Sequence, residues 1–120
     1  MDLLLVRHGR PHRQHAADGD GADPHLTPQG RADADLLAGY LAAQPATAPT
    51  VVYTSPMRRA RETAEAITSR LVVPLRVDDR LREFDHGAPS YVPLELTASG
   101  ETQAEMWRAL ETGVWGRHTF

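Results

Sequence analysis

The residues best equipped for chemistry come early in the chain. Arg7, His8 and Gly9 stand together at the end of an apolar run, Leu3-Leu4-Leu5-Val6. Arg7 carries a permanent charge on a planar fork of donors that fits a phosphate. A neutral His8 offers a ring nitrogen that can act as a nucleophile. Gly9 has no side chain, so an anion can approach its backbone N–H closely. A second basic cluster follows at Arg58, Arg59 and Arg61. Two readings of it stand. Cations at the start of a helix are misplaced unless an anion joins them; equally, they form a solvated basic turn paired with Glu62 and Glu65. A third group comprises His12, His15 and His25 with Asp18, Asp20 and Asp23. Its spacing matches no metal-ligand pattern, and its Asp/Gly alternation lacks the terminal Glu of an EF-hand loop. It reads as a solvated loop, and no metal is assigned.

These groups need elements to hold them. Leu3–Val6 reads as a short buried strand, stopped by Gly9 and Pro11, that delivers Arg7 and His8 to its carboxyl end. That edge is where ligands bind in open α/β sheets. Residues 10–25 form a polar loop. Thr27 and Pro28 suit the N-cap and first position of a helix. Its body runs from Arg31 to Ala43, with Ala32, Leu36, Leu37, Tyr40 and Leu41 as the core stripe. Thr50–Thr54 is β-branched and aromatic, a second strand. Ser55-Pro56 reads as the N-cap and first turn of a helix continuing to about Arg70. Residues 71–77 hold a short third strand limited by Pro74. Alternation of strand and helix implies a mostly parallel sheet with right-handed crossovers. Residues 88–100 read as loop and about 101–110 as a last helix capped by Ser99. Trp107 and Trp115 are expected as core or interface aromatics.

Composition narrows the class. A chain of 120 residues with 41% hydrophobic residues is one domain's worth with a packed core. There is no cysteine, so disulfide and thiolate-metal chemistry are excluded. The net charge of −3 argues against a general nucleic-acid binder. All 13 basic residues are arginine, so every fixed cation can contact phosphate bidentately. No apolar stretch reaches the roughly 20 residues of a membrane span, and no signal peptide is evident. A cytoplasmic location is the default expectation.

Arg7-His8-Gly9 after an apolar strand resembles the signature of the histidine phosphatases, the superfamily that includes the cofactor-dependent phosphoglycerate mutases. Three further stretches share the resemblance. Leu26-Thr27-Pro28-Gln29-Gly30 is similar to the Leu-Thr-x-x-Gly stretch after the signature loop. Residues 55–64 resemble the Ser-x-x-x-Arg-Ala-x-x-Thr-Ala motif, which puts Arg59 in the phosphate pocket and points Arg58 and Arg61 elsewhere. Leu81-x-Glu83, with Gly87 four residues on, is similar to the segment carrying the family's acidic residue. From the residues alone, Glu83 is a surface carboxylate beside Arg80 and Arg82. Many relatives continue with Trp-Glu-Gly where this chain has Ala88-Pro89-Ser90, so its specificity loop is its own.

The resemblance implies a three-layer α/β sandwich, with a mostly parallel sheet and helices on both faces. It implies a phosphomonoesterase acting on a small phosphorylated metabolite. His8 would be the nucleophile, Glu83 the proton donor, and Arg7, Gly9 and Arg59 the phosphate ligands. No cofactor is required. Phosphoglycerate mutase-type transfer and a non-catalytic anion-binding relative are the alternatives. The family's second catalytic histidine has no convincing match: His118 follows no apolar strand and precedes Thr119. The 120 residues are therefore expected to be the N-terminal portion of one longer domain. Its unsealed sheet edge would invite self-association and leave little turnover.

Overall fold

The computed structural model describes residues 1–16, 21–83, 86–91, 104, 107–108, 111–115 and 118–119. The described residues fall into two compact units, Met1–His12 with Asp23–Arg82, and Arg13–Ala22 with Glu83–Phe120.

The first unit is built on helix α1 (Pro28–Ala42), strand β2 (Val52–Thr54), helix α2 (Arg58–Leu71) and strand β3 (Leu75–Val77). Thr27 caps α1 as its sequence suggests: its Oγ1 accepts from Gly30 N at 3.0 Å. β2 and β3 pair in parallel, Val52 opposite Leu75 and Thr54 opposite Val77. A parallel pair needs a crossover, and α2 supplies it. Ala38 and Leu41 of α1 and Ile67 of α2 form the core, with Leu37, Val52 and Leu71 packed against it.

Three expectations change here. The apolar run Leu3–Val6 is not a buried strand. It has no regular structure, and Leu3 and Leu5 are 80% and 85% exposed. A strand is held by paired neighbours as much as by its own hydrophobicity, and β2 and β3 are ordered only with each other. In α1 the buried face is Gly30, Ala34, Ala38 and Leu41, with Leu37 partly covered. Leu36 and Tyr40, placed in the core by periodicity, are 72% and 64% exposed, and Ala32 is exposed too. At the start of the helix the backbone approach is close. A Cβ on Gly9 would lie 2.5 Å from the Gly30 carbonyl oxygen. Helix α2 begins at Arg58 with Met57 as N-cap, not at Ser55. The Ser55 hydroxyl instead accepts from Met57 N one step ahead of the helix, at 3.3 Å. Finally, Val72 ends α2 in the left-handed region at φ 56°, an uncommon conformation for a β-branched residue.

The second unit contains β1 (Gln14–His15) paired antiparallel with β4 (Ser90–Tyr91). The loop expected over residues 10–25 therefore includes a short strand. Ala16 N and Ala22 N donate to Pro89 O and Ala88 O and extend the contact. Gly21 and Gly87, at φ 80° and 82°, meet so closely that a Cβ on Gly21 would lie 2.5 Å from Gly87 Cα. A last antiparallel pair joins β5 (Val114–Trp115) to β6 (His118–Thr119). His118 thus does follow a short strand, contrary to the sequence reading. Ala104, Trp107 and Arg108 are helical within the expected last helix, and Trp107 is 61% exposed rather than a core aromatic. Ser99 and most of residues 92–110 lie outside the described residues. Among the described residues no helix is long and apolar enough to cross a membrane.

Candidate active site

The first unit brings His8 and Arg59 together. Arg59 Nε donates to His8 Nε2 at 3.2 Å. His8 Nδ1 lies 2.8 Å from the carbonyl oxygen of Gly9. These two partners fix the tautomer. A carbonyl only accepts, so Nδ1 carries the proton; a guanidinium only donates, so Nε2 presents its lone pair. The arrangement thus directs the Nε2 of His8 toward the Arg59 guanidinium and Nδ1 toward the Gly9 carbonyl. Arg59 sits in the first turn of α2 and is 0% exposed, the one large side chain buried so completely among the described residues. A buried guanidinium costs several kcal/mol of lost solvation (about that order) unless partners offset it. Such a group marks a place where negative charge is wanted.

Close backbone packing shapes the loop that carries His8. Gly9 N donates to Thr63 Oγ1 at 3.0 Å. The Arg10 carbonyl accepts from Thr27 N at 2.8 Å and from the Thr27 hydroxyl at 3.1 Å. Pro11 bridges to Leu26, and His12 N donates to His25 O. The signature loop is thus laid against the start of α1, where Gly30 leaves room for Arg10. Gly9 was expected to leave room for an anion; its missing Cβ is also required by Gly30.

The neighbouring arginines point away. Arg58 Nη1 meets His25 Nε2 at 3.2 Å, and its backbone N–H donates to the Asp23 carboxylate at 2.8 Å. Arg61 pairs with Glu65 one turn on, at 3.6 Å. Glu62 pairs with His25 Nδ1, accepts from Leu26 N at 2.8 Å, and meets Arg31 at 3.2 Å. Burial alone would raise the Glu62 pKa. The His25 hydrogen bond, the Leu26 N–H and the Arg31 charge outweigh that and hold it below the ordinary value. The basic cluster therefore divides: Arg58 and Arg61 join carboxylates as a solvated turn would, and Arg59 goes inside. The loop histidine His25 and Asp23 belong to this network; Asp18 and Asp20 lie outside the described residues.

Arg7 is exposed on the same unit. Glu83 is half-buried in the second unit, where its carbonyl accepts from His86 N at 3.1 Å. Arg80 and Arg82, its expected surface partners, engage Asp78 and Asp79. The Arg80 guanidinium and backbone N–H hold the Asp78 carboxyl down to about 2.

The sequence matches the family model of the histidine phosphatase superfamily (branch 1) over residues 3–115. The chain belongs to this superfamily. A histidine phosphatase relative, the 2,3-bisphosphoglycerate-dependent phosphoglycerate mutase of Corynebacterium jeikeium, is 34% identical over 113 residues, covering 89% of this chain and 44% of its own length. The glucosyl-3-phosphoglycerate phosphatase of Mycolicibacterium vanbaalenii is 30% identical over 118 residues, covering 97% and 50%. The solved structure of a mycobacterial glucosyl-3-phosphoglycerate phosphatase superposes with a TM-score of 0.60 at 27% identity, covering 92% of this chain and 51% of that one. The chain spans about half the length of the curated relatives it matches.

Sequence reasoning passed over three contributors. Thr63 was seen only as a motif letter, although a threonine four residues after Arg59 can bond back to that carbonyl. The Glu62–His25 pair and the Gly9–Gly30 approach had no local signal, because each joins residues far apart in the chain.

Proposed function

We propose that this chain is a phosphomonoesterase of the histidine phosphatase type, working through a phosphohistidine on His8. The observation that carries the reading is the pairing of His8 Nε2 with a wholly buried Arg59. In the resting site the guanidinium donates to the nucleophile. An arriving phosphoryl group would take over those donors, which frees the Nε2 lone pair for in-line attack. The N–P bond forms as the P–O bond to the alcohol breaks. Glu83, assigned by its motif, gives the departing oxygen a proton. Water then attacks phosphorus, Glu83 takes its proton, the N–P bond breaks, and phosphate leaves. Arg59 and Arg7 stabilise the equatorial oxygens throughout.

The relatives carry both phosphatase and mutase names, and the proposed first half-reaction would serve either. A mutase returns the phosphoryl group to a bound intermediate instead of to water. The substrate is a small phosphorylated metabolite, read by a loop in which this chain carries Ala88-Pro89-Ser90. The whole domain would be the three-layer sandwich the resemblance implies.

The test is hydrolysis of nitrophenyl phosphate with trapping of the acid-labile phosphoenzyme. Wild-type protein should label, with little turnover from these 120 residues alone, and His8→Ala should not label while still melting cooperatively. Label persisting in His8→Ala would remove His8 from the reaction.

A further inference from the structure

The two hydrogen bonds that orient the His8 ring lead back to one hydroxyl. Nδ1–H is held by the carbonyl of Gly9, and Nε2 by the guanidinium of Arg59. Thr63 Oγ1 accepts from the N–H of that same Gly9 at 3.0 Å. It also donates to the carbonyl of that same Arg59, at 2.8 Å. We propose that Thr63 is a positioning residue whose hydroxyl sets the tautomer and attack direction of His8 by bracing Gly9 and Arg59 together.

The hydroxyl suits the task. It has one donor and two acceptor sites. Its proton is committed to the Arg59 carbonyl, so its lone pair faces Gly9. A threonine in a helix has two accessible rotamers, and the bond to the carbonyl four residues back selects one. Thr63 is buried, at 4% exposure, so water is poorly placed to stand in for it. Losing the hydroxyl would take from the part-buried Gly9 N–H, one residue from His8, the partner that holds it to α2. The brace also joins two segments distant in sequence: the loop that carries His8, and the helix that carries Arg59. A shift of either would misalign Nε2, and small misplacements cost large factors in rate.

This role rests on His8 being the nucleophile, so the experiment reads ring placement and anion binding separately. The full chain, with its histidines labelled with nitrogen-15, is compared as wild type, Thr63→Val and Thr63→Ser. Long-range proton–nitrogen spectra report the His8 tautomer, and inorganic vanadate reports the anion site. Wild type should show the Nδ1–H pattern. Thr63→Val, equal in shape but without the hydroxyl, should shift it toward mixed tautomers and weaken vanadate binding by about tenfold. Thr63→Ser should restore both. A Thr63→Val spectrum identical to wild type at His8 would overturn the positioning role, as would Thr63→Ser falling as far as Thr63→Val. Should Thr63→Val fail to melt cooperatively, Thr63→Ser decides alone: it must match wild type at His8, and a shifted pattern overturns the assignment. A tautomer shift in a protein whose wild type binds no vanadate would support the positioning role and overturn the phosphatase reading.

Discussion

Helices α1 and α2 both break the rule that apolar residues go inside, and they break it in opposite directions. α1 turns Gly30, Ala34 and Ala38 inward and leaves Leu36 and Tyr40 to solvent. α2 turns Arg59, Thr63 and Thr68 inward beside Ala64 and Ile67. In α1 the deciding quantity is distance. The start of the helix lies against the backbone of the signature loop, and only small residues fit. In α2 the deciding quantity is hydrogen bonding. Its buried polar groups persist because His8, Gly9 and the helix's own carbonyls give them partners. α1 thus supplies a close-fitting wall and α2 supplies the chemistry.

The sharpest way to break this division is on α2. Arg59→Ala should weaken inorganic phosphate or vanadate binding by about a hundredfold, the loss of a charge-assisted pair. Arg58→Ala should cost about threefold or less, since Arg58 faces Asp23 and His25 at an exposed position. Titration calorimetry with both variants checks this, and a larger loss at Arg58 would shift the pocket by one residue. On α1, Ala38→Leu should destabilise by about 1–3 kcal/mol through overpacking. Leu36→Ala should stay within about 0.5 kcal/mol, as exposed substitutions do. Denaturant midpoints that reverse this order would show the buried face to be the other one.

Glu62 gives a smaller, pH-dependent effect. Its folded pKa lies below the ordinary value of 4.5. Its contribution is therefore present in full above that value and is lost as the pH falls through the lower folded one. The gap in Tm between wild type and Glu62→Gln should be steady near neutral pH and should close on acidification. Asp78, held down to about 2, is present in both proteins, so its own acid loss cancels. A gap that widens in acid would contradict the network. The smallest change is at the end of α2. Val72→Gly should raise stability by about 0.5–1 kcal/mol, because glycine accepts φ 56° freely while losing more chain entropy. Thermal melts resolve that, and a fall in Tm would argue against the left-handed cap.

How much of this was legible depended on how local each signal was. The Thr27 cap and the parallel β2–α2–β3 unit are written within a few residues, and the structure has them. Arg59 is set apart from its neighbours only by its motif, and the structure shows it buried while Arg58 and Arg61 face carboxylates. The strand expected at Leu3–Val6 failed because hydrophobicity names a candidate for burial without naming its neighbour. The α1 stripe held at Leu37 and Leu41 and failed at Ala32, Leu36 and Tyr40; the Gly9–Gly30 approach, across 21 positions of sequence, has no local signal. The Glu62–His25 pair spans 37 residues and was invisible for the same cause. Glu83 is legible only through its motif, and its role stands as a proposal.

If His8 is the nucleophile as proposed, one of its two ring nitrogens takes the phosphoryl group. With Nδ1–H bound to the Gly9 carbonyl and Nε2 facing Arg59, only Nε2 is available. The direct measurement is phosphorus–nitrogen NMR on the trapped phosphoenzyme, with the labelled peptide located by mass spectrometry. The predicted result is a single phosphohistidine at residue 8 carrying phosphorus on Nε2. Phosphorus on Nδ1, or on any other histidine of the chain, would contradict it.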